Sequence, residues 1–522
     1  MSAVVSYPVT LESPFTTLPE LLALNARHRA NHPAVIQDGQ QLNYAELDAQ
    51  VNRAVAALQR DGLQPGDAIA ICAANSIPYT VVFLAALRAG MVIAPLAPSS
   101  TADGLITMLR DSAARMLFVD QPVAEALQPV AERIQIPLLS LDDSQPETGF
   151  SQWLADSSPT SVELKPQTLF NIIYSSGTTG EPKGIVHDHL MRWSHIQRGI
   201  AFGYGPDCVT LMSTPLYSNT TLVSFLPTIG LGGTLVLMSK FDAQKYLELA
   251  QEHRATHSML VPVQYQRIMA RADFDSYDLS SFQMKFSTSA PFHGELKADI
   301  LARWPGGLVE FYGMTEGGGS CMLLAHQFPD KLNTVGRPLD GHDMRVIDEE
   351  GNELPSGEIG EVVGHSVAMM SCYLNKPEKT AEAEWYDPAG KRFIRTGDVG
   401  RFDEEGFLTL MDRRKDMIIS GGFNIYPSDL EAVLRQHPDL LEVTVIGVPS
   451  TSWGETPVGY AVRQSGLDTP ADNILQWFNG QVGKTQRLNR LILTDELPRS
   501  AIGKVLKREL RDQFHSEFGT LD

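Results

Sequence analysis

Short apolar runs alternate with longer amphipathic segments along the first part of the chain. The runs DAIAIC (67–72) and ARMLFVD (114–120) have the length and composition of buried strands. In residues 43–62, which precede both runs, apolar residues recur at helical spacing. Asn43 and Glu46 stand three residues apart there, as in an N-terminal capping box. This alternation of helices and buried strands is typical of the α/β fold class.

The stretch YTVVFLAALRAGMVIAPLAP (79–98) is the longest apolar run of the chain. Arg88 and Gly90 interrupt it, so it predicts a buried helix, a turn and a strand, and not a membrane span. By contrast, the segment 140–167 is polar and rich in Ser, Pro and acidic residues. It predicts a surface connection between two structured parts.

From about Arg337 the pattern changes to short strands separated by glycine-rich turns, which predicts a β-rich subdomain. Further on, Ser428 and Glu431 have the S-x-x-E spacing of a capping box, and a strand, a helix, a strand and a basic final helix follow. We therefore predict a large N-terminal domain (1–413) of α/β subdomains plus the β-rich subdomain. A small α+β C-terminal domain (414–522) follows it.

Composition narrows the function. The 522-residue chain has 62 acidic against 42 basic residues, a net charge of −20, which argues against a nucleic-acid partner. A small anionic ligand would need a local positive field from backbone NH groups and a few Lys or Arg. The four cysteines are far apart and lack metal-ligand spacing, so we expect buried free thiols. The first ten residues lack a signal-peptide pattern, and we expect a cytoplasmic protein without a membrane span.

The segment SSGTTGEPKG (175–184) combines three glycines, four hydroxyl side chains and Lys183. Backbone NH groups of a glycine-rich turn can surround an anion, and hydroxyls and a lysine add donors and charge. Glu181 and Pro182 precede the lysine, so the segment is not a Walker A loop. The alternative is a flexible surface hairpin, but the composition favours a phosphate-binding loop.

With four later regions, this loop resembles the acyl-adenylate-forming superfamily. That superfamily contains acyl- and aryl-CoA ligases, peptide-synthetase adenylation domains and firefly luciferase. The resemblance implies ATP and Mg²⁺ as ligands and a mobile C-terminal domain. The four later regions occur in the order typical of the superfamily. The first comprises STSAP (287–291) and YGMTEGG (312–318). The others are TGDVGRFDEEGF (396–407), DRRKDMIISGGFNIYPSDLE (412–431) and LPRSAIGKVLKREL (497–510).

The resemblance implies a role for each matching residue. Glu316 would hold Mg²⁺, Asp398 and Arg413 would hold the ribose, and catalysis would depend on Lys504, Glu316, Thr315 and Lys183. Taken singly, Glu316 could be a solvated loop acid and Asp398 a turn residue, but the ordered set favours the functional interpretation. The remaining nucleotide contacts implied are Ser175, Ser176, Gly177, Thr178, Thr179, Gly180, Ser289, Ala290, Pro291, Tyr312 and Gly313.

The resemblance also implies a second step, after rotation of the C-terminal domain. Lys415 stands at the hinge position, and Gly421 and Gly422 match glycines that line the acceptor tunnel. Trp453 matches a position that often packs on the acceptor, and a partly buried core tryptophan is an equal alternative.

The acid-binding segment STPLYSNTTLVSF (213–225) contributes Tyr217, Ser218 and Asn219, with Thr220 and Val223 nearby. Ser218 stands where many acyl-CoA ligases carry histidine. Because no acidic residue matches the one that binds an amino group in peptide-synthetase domains, we expect a mainly apolar acid, aromatic, alicyclic or medium-chain.

These features predict an ATP-dependent carboxylic acid ligase with CoA as acceptor. Gln486 and Leu488 replace the family's Lys-x-Pro turn, which weakens the CoA assignment, although Lys484, Arg487 and Arg490 could supply the lost charge. An amine acceptor is therefore the alternative. A catalytically silent nucleotide-binding module is a further alternative, disfavoured because the expected catalytic residues are intact. A homodimer is an open expectation.

Overall fold

The computed structural model describes residues 7–175, 182–413, 415–420, 423–500 and 503–521. Its fold is mixed α/β, with a large N-terminal and a small C-terminal domain, as the sequence predicts. Contacts divide the chain into two compact units. The first comprises Met1–Asn333, Pro338–Asp343 and His365–Ile394, and the second comprises Thr334–Arg337, Met344–Gly364 and Arg395–Asp522.

A nine-stranded sheet contains eight strands of the first unit side by side. Among these eight, all neighbours are parallel except the outermost pair at each side. Strand Thr234–Leu237 is buried along its whole length, as expected where both faces of a parallel sheet are covered. The spatial order is Gly317–Leu324, Gly307–Met314, Met284–Ser287, His257–Leu260, Val209–Met212, Thr234–Leu237, Pro33–Gln37 and Gln40–Asn43.

A second sheet of the first unit has seven strands. Strand Ala68–Cys72, inside this sheet, is buried at every residue, which confirms the strand predicted there. The pair Leu169–Ser175 and Lys183–Asp188 is antiparallel, whereas the strands beyond Val92–Pro95 are parallel. The spatial order is Cys372–Tyr373, Lys183–Asp188, Leu169–Ser175, Val92–Pro95, Ala68–Cys72, Ala114–Val119 and Leu138–Ser140.

Helices of the first unit pack on these sheets. At the start of Tyr44–Arg60 the Glu46 amide donates to Asn43 Oδ1 at 2.8 Å and the Asn43 amide donates to Glu46 Oε2 at 2.8 Å, which confirms the predicted capping box. The other helices are Leu18–His28, Ile77–Arg88, Ala102–Asp111, Gln121–Leu127, Phe150–Trp153, His189–Ala201, Asn219–Gly230, Ala243–Glu252, Pro262–Met269, Gly294–Arg303 and Pro377–Glu382.

The segment 140–167 is only in part the surface connection that its polarity predicts. It contains the short helix Phe150–Trp153, whose two aromatic side chains are buried in the core of the first unit. Trp153 Nε1 donates to Asp61 Oδ2 at 2.7 Å, which fixes the segment to the end of a long helix. Two buried aromatic residues thus override the polar composition around them.

The β-rich part predicted from about residue 337 is present. Its strands are Asp343–Ile347, Gly360–His365, Arg392–Phe402 and Leu408–Arg413, and the first residues of Arg392–Phe402 pair with Glu384–Tyr386. In the second unit, Leu408–Arg413 pairs antiparallel with Arg392–Phe402, so that Asp398 lies opposite Arg413.

The C-terminal α+β part also follows the prediction. Strands Leu440–Ser450 and Gly454–Arg463 form a long antiparallel pair, and Arg490–Leu493 is parallel to the second of them. The remaining elements are Ile418–Ser420, Phe423–Ile425, Pro427–Leu434, Ala471–Asn479 and Lys507–Phe518.

The capping box predicted at Ser428 and Glu431 is wrong. Helix Pro427–Leu434 is preceded by Tyr426 and has no side-chain cap. Ser428 lies inside the first turn, where its hydroxyl donates to the Met411 carbonyl. Glu431 instead accepts from the Val445 amide at 2.9 Å and pairs with Lys507 at 2.9 Å, so it joins helix, strand and final helix.

The cysteines and the apolar helices are the subject of two further expectations. All four cysteines are free, and three of them are buried, as predicted. Within the part of the chain that the structure describes, no helix has the length and hydropathy needed to cross a lipid bilayer.

Candidate active site

The predicted phosphate loop connects two paired strands. Ser175 and Lys183 lie directly opposite each other at the open end of the antiparallel pair, so both ends of the loop are fixed by the sheet. Lys183 Nζ lies 5.0 Å from the ring centroid of Tyr373. The expected phosphate contacts Ser176, Gly177, Thr178, Thr179 and Gly180 lie outside the described residues and stay predictions.

Thr315 and Glu316 form the connection between strands Gly307–Met314 and Gly317–Leu324. Glycine is required at position 317, because a Cβ there would lie 1.9 Å from the Ala368 carbonyl oxygen and the φ of Gly317 is +76°. Glu316 is held twice: its Oε1 accepts from the Tyr373 hydroxyl at 2.7 Å, and its carbonyl accepts from the Met370 amide at 2.7 Å.

Tyr373 therefore contacts both Lys183 and Glu316, which are 133 positions apart in the sequence. Burial and the neighbouring Glu316 raise the pKa of Tyr373, so its hydroxyl stays protonated and remains a donor. The structure thus brings the predicted lysine and the predicted carboxylate together. Sequence reasoning missed Tyr373, since nothing in SCYLNKPEKT marks it.

A buried polar network holds Thr315 from the other side. His187 Nε2 lies 2.7 Å from the Thr315 carbonyl oxygen, which can only accept, so this nitrogen carries the proton. His187 Nδ1 then accepts from Arg192 Nη2 at 3.0 Å and from Asn171 Nδ2 at 3.1 Å. Burial and the charge of Arg192 lower the pKa of His187 well below its usual value, so the imidazole is neutral.

The acid-pocket residues lie at the other end of this network. Arg192 Nη1 donates to Asn219 Oδ1 at 2.7 Å. Ser218, which replaces the family's histidine, caps helix Asn219–Gly230 by accepting from the Thr220 amide at 3.3 Å. Burial raises the pKa of Tyr217 to about 12, so its hydroxyl is neutral. Network and cap fix the start of this helix.

The adenine segments lie at one edge of the nine-stranded sheet. Ser289, Ala290 and Pro291 follow strand Met284–Ser287, and Tyr312 and Gly313 end the parallel neighbouring strand. The carboxyl ends of parallel strands meet at one edge, where ligands of α/β proteins commonly bind.

Ser289 joins the adenine segments to the acid pocket. Its φ is +81°, uncommon for a residue other than glycine. Its hydroxyl lies 2.5 Å from Thr220 Oγ1, on the helix that begins at the acid pocket. The structure therefore brings these two predicted sets together within the first unit.

The ribose and lysine residues lie in the second unit. Arg413 Nε is 3.2 Å from Asp398 Oδ1, which pairs the two predicted ribose contacts. Lys504 follows Gly503, whose carbonyl accepts from Arg499 Nη1 at 2.7 Å. The Lys504 carbonyl accepts from the Ser500 amide at 2.8 Å. A hydrogen-bonded turn thus presents the lysine.

Lys504 lies among charged groups. Burial, together with the charges of Arg413 and Lys415, lowers its pKa to about 8, although the charges of Asp398 and Asp416 partly offset this effect. A lysine with this pKa loses its charge within the range of enzyme assays.

The predicted acceptor residues are described only in part. Gly421 and Gly422 lie outside the described residues. The Trp453 side chain is 43% exposed at the turn between two long strands, so it is accessible to a ligand. Burial lowers the pKa of Lys415 at the predicted hinge, where the opposite charge of Asp416 partly offsets this effect.

Magnesium would take most of its ligands from phosphate and water rather than from protein side chains. Among the described residues, no group of three His, Cys, Asp or Glu side chains is placed to hold a metal ion. Glu316 offers one anchored carboxylate at the end of a strand. One carboxylate with phosphate and water ligands is the usual protein contribution to a Mg²⁺–nucleotide complex, so the residues present fit this ion.

Comparison with known proteins gives consistent matches over most of the chain. The family model described as AMP-binding enzyme matches residues 22–374, and the one described as AMP-binding enzyme C-terminal domain matches residues 429–504. The feruloyl-CoA synthase of Amycolatopsis sp is 32% identical over 497 residues, covering 94% of this chain and 97% of that protein.

Two further relatives differ in the acceptor that their names give. The fatty acid–acyl-carrier-protein ligase ScoC of Streptomyces coeruleorubidus is 29% identical over 510 residues, covering 95% of this chain and 96% of that protein. The solved structure of the amide bond synthetase McbA from Marinactinospora thermotolerans has a TM-score of 0.84 at 27% identity, covering 96% of this chain and 100% of that chain.

Proposed function

Because the chain belongs to the AMP-binding enzymes, the acyl-adenylate-forming superfamily, we propose that it is an ATP-dependent carboxylic acid ligase. A carboxylate oxygen of the acid attacks the α-phosphorus of ATP, and the bond from that phosphorus to the bridging oxygen of the β-phosphate breaks. Acyl-AMP forms and pyrophosphate leaves. An acceptor nucleophile then attacks the acyl carbon and displaces AMP.

The observation that carries the proposal is the arrangement around Tyr373. Lys183 lies over its ring, and Glu316 accepts from its hydroxyl. A cation for phosphate and a carboxylate for Mg²⁺ are therefore fixed by one side chain beside the phosphate loop. Mg²⁺, when bound, would offset phosphate charge, with Glu316 as its protein ligand. A silent binding module has no need of this arrangement.

The remaining nucleotide contacts are assigned by chemistry. The Asp398 carboxylate suits the ribose hydroxyls, and Arg413 holds it in place. Tyr312 offers a flat face to adenine. His187 anchors the carbonyl of Thr315, and the Thr315 hydroxyl would donate to the α-phosphate.

Lys504 supplies the charge for the first step. Two anions approach each other when the carboxylate attacks, so a positioned cation lowers the barrier most where that charge concentrates. We assign the adenylation core to residues 1–413 and the mobile part to 414–522, with Lys415 as pivot. Rotation about Lys415 would withdraw Lys504 after adenylation.

CoA is the acceptor that we propose, forming an acyl-CoA thioester. Support comes from the name of the feruloyl-CoA synthase relative and from exposed Trp453. An amine is the second candidate, favoured by the amide bond synthetase neighbour and by Gln486 and Leu488 in place of the Lys-x-Pro turn. The acid proposed is mainly apolar: aromatic, alicyclic or medium-chain.

A screen of acids against acceptors, with MgATP and product mass as the readout, tests the proposal. Acceptors are CoA, an acyl carrier protein, amines and amino acids. Thioester formation at millimolar CoA supports the CoA ligase. Amides formed with amines, and no thioester from an acid that yields acyl-AMP, would replace it with the amide ligase.

A further inference from the structure

Helix His189–Ala201 carries three basic side chains at intervals of three residues, Arg192, His195 and Arg198, which places them along one side of the helix. Arg192 is buried and its donors reach the neutral acceptors Asn171 and Asn219. His195 Nδ1 lies 3.4 Å from Arg192 Nη1. The row therefore extends from the acid-pocket residue Asn219 towards Arg198.

Among the described residues, Arg198 is the member of the row for which the structure shows no polar partner. Its guanidinium carbon lies 5.8 Å from the ring centroid of Phe311. Burial lowers its pKa to about 10, and no carboxylate contributes to that shift. Within the described part of the chain it takes part in no ion pair and no side-chain hydrogen bond.

The neighbouring histidines leave the charge of Arg198 unbalanced. His195 and His342 both lie near enough for Arg198 to lower their pKa, and burial together with this charge lowers the pKa of His342 to about 4. Both are therefore neutral at pH 7. The Nδ1 atom of His342 is buried and has no hydrogen-bond partner among the described residues. A second unsatisfied polar atom thus lies beside the unpaired guanidinium.

An arginine in this environment is unusual for a chain with 62 acidic residues. Removing a guanidinium from water is costly unless an anion or several acceptors replace the water. The comparable Arg88 in the same unit is paired with Asp48 at 2.6 Å and donates to Asn52 at 2.8 Å. Arg198 lacks such partners, so its environment suits an anionic group that arrives with a ligand.

The position of Arg198 indicates which ligand. Phe311 directly precedes Tyr312 on its strand, and Phe202, Phe286 and Phe311 pack with ring centroids 5.5–6.0 Å apart. An aromatic wall therefore lies beside the guanidinium, near the sheet edge where the acid and adenine segments meet. Apolar carbon and one charge are both available there.

We propose that Arg198 binds a second anionic oxygen group of the acid, remote from the carboxyl group that is adenylated. The substrate class is then a dicarboxylic or similarly double-charged acid with an apolar body, which rests on the ligase function proposed above. A planar guanidinium matches a carboxylate with two parallel hydrogen bonds, and the body of the acid packs against Phe311.

Matched mono- and dicarboxylic acids of equal length test this, each assayed for acid-dependent pyrophosphate release. We expect kcat/KM to favour the dicarboxylic acid by about tenfold or more. Arg198→Met keeps the apolar stem and removes the charge. It should abolish this preference while leaving kcat/KM for the monocarboxylic acid within about twofold of the wild-type value. Arg198→Lys should retain part of the preference. Arg110→Met, at an exposed arginine, is the control and should change neither.

Calorimetric binding of the same acids separates the two proposals. Dicarboxylate binding that Arg198→Met weakens, with no pyrophosphate release by the wild type, supports Arg198 as the contact of an anionic group but refutes the ligase. Equal use of both acids by wild type and variant overturns the inference and leaves the ligase intact. An equal fall in kcat/KM with both acids in Arg198→Met, with unchanged thermal unfolding, also overturns the inference, because Arg198 would then serve the reacting carboxylate.

Discussion

Replacement of Lys504 should separate the two half-reactions. Its cation is needed only while the acid carboxylate attacks ATP, so Lys504→Ala should slow adenylation about 10²–10³-fold, or about 2.7–4 kcal/mol, the cost of one positioned charge stabiliser. Conversion of supplied acyl-AMP should continue at nearly the wild-type rate. Exposed Lys484 is the matched control, and Lys484→Ala should leave adenylation unchanged.

The pH dependence follows from the same environment. The pKa of Lys504 is lowered from 10.5 to about 8, so the charged form predominates below pH 7 and is lost as pH rises through 8. About 90% of the side chains are charged at pH 7 and about 10% at pH 9. We therefore expect kcat/KM for adenylation to fall about tenfold per pH unit above 8. ATP brings negative charge, so the fall in kcat should begin at higher pH.

Pyrophosphate release measured from pH 6 to 10 checks the argument, with Lys504→Arg as second variant. An arginine stays charged over this range, so the alkaline fall near pH 8 should disappear from its profile. A fall that persists in Lys504→Arg would assign the titration to another group. Equal loss of adenylation and acyl transfer in Lys504→Ala would refute the division of roles.

Three further predictions follow from the site. Glu316→Gln should raise the Mg²⁺ concentration needed for adenylation without changing thermal unfolding, and Tyr373→Phe should raise it by a smaller factor. An unchanged Mg²⁺ titration in both variants would count against Glu316 as the Mg²⁺ ligand. Lys415→Pro should spare adenylation and block transfer, because proline fixes φ at the proposed pivot; two intact half-reactions would place the pivot elsewhere. Arg487→Ala should raise the KM for CoA several-fold. Arg490→Ala should do the same but also lower the melting temperature, since this guanidinium lies 4.3 Å from the Phe518 ring centroid; unchanged KM values would remove both from the acceptor site.

Local patterns predicted local structure well. The interruption at Arg88 and Gly90 marks the end of helix Ile77–Arg88 and the turn before strand Val92–Pro95. The box at Asn43 and Glu46 forms because Asn43 directly precedes helix Tyr44–Arg60 and Glu46 is the third residue of that helix. Such features depend on residues within one or two turns, and the sequence displays all of them.

Features set by distant partners could not be predicted in the same way. Ser428 and Glu431 have capping-box spacing, but Met411 and Lys507 provide stronger partners from other elements. The contact between Tyr373 and Glu316 spans 57 positions and belongs to no local motif. The tautomer of His187 depends on the Thr315 carbonyl, 128 positions away. Each outcome depends on tertiary packing, which spacing along the chain does not encode.

Acid-dependent exchange of labelled pyrophosphate into ATP tests the central claim most directly. The exchange requires only reversible formation of acyl-AMP, so it is independent of the acceptor and of the second half-reaction. The account predicts exchange that needs both Mg²⁺ and a carboxylic acid, continues without CoA or amine, and falls about 10²–10³-fold in Lys504→Ala. Exchange without any acid, or cleavage of ATP to ADP and phosphate, would contradict it.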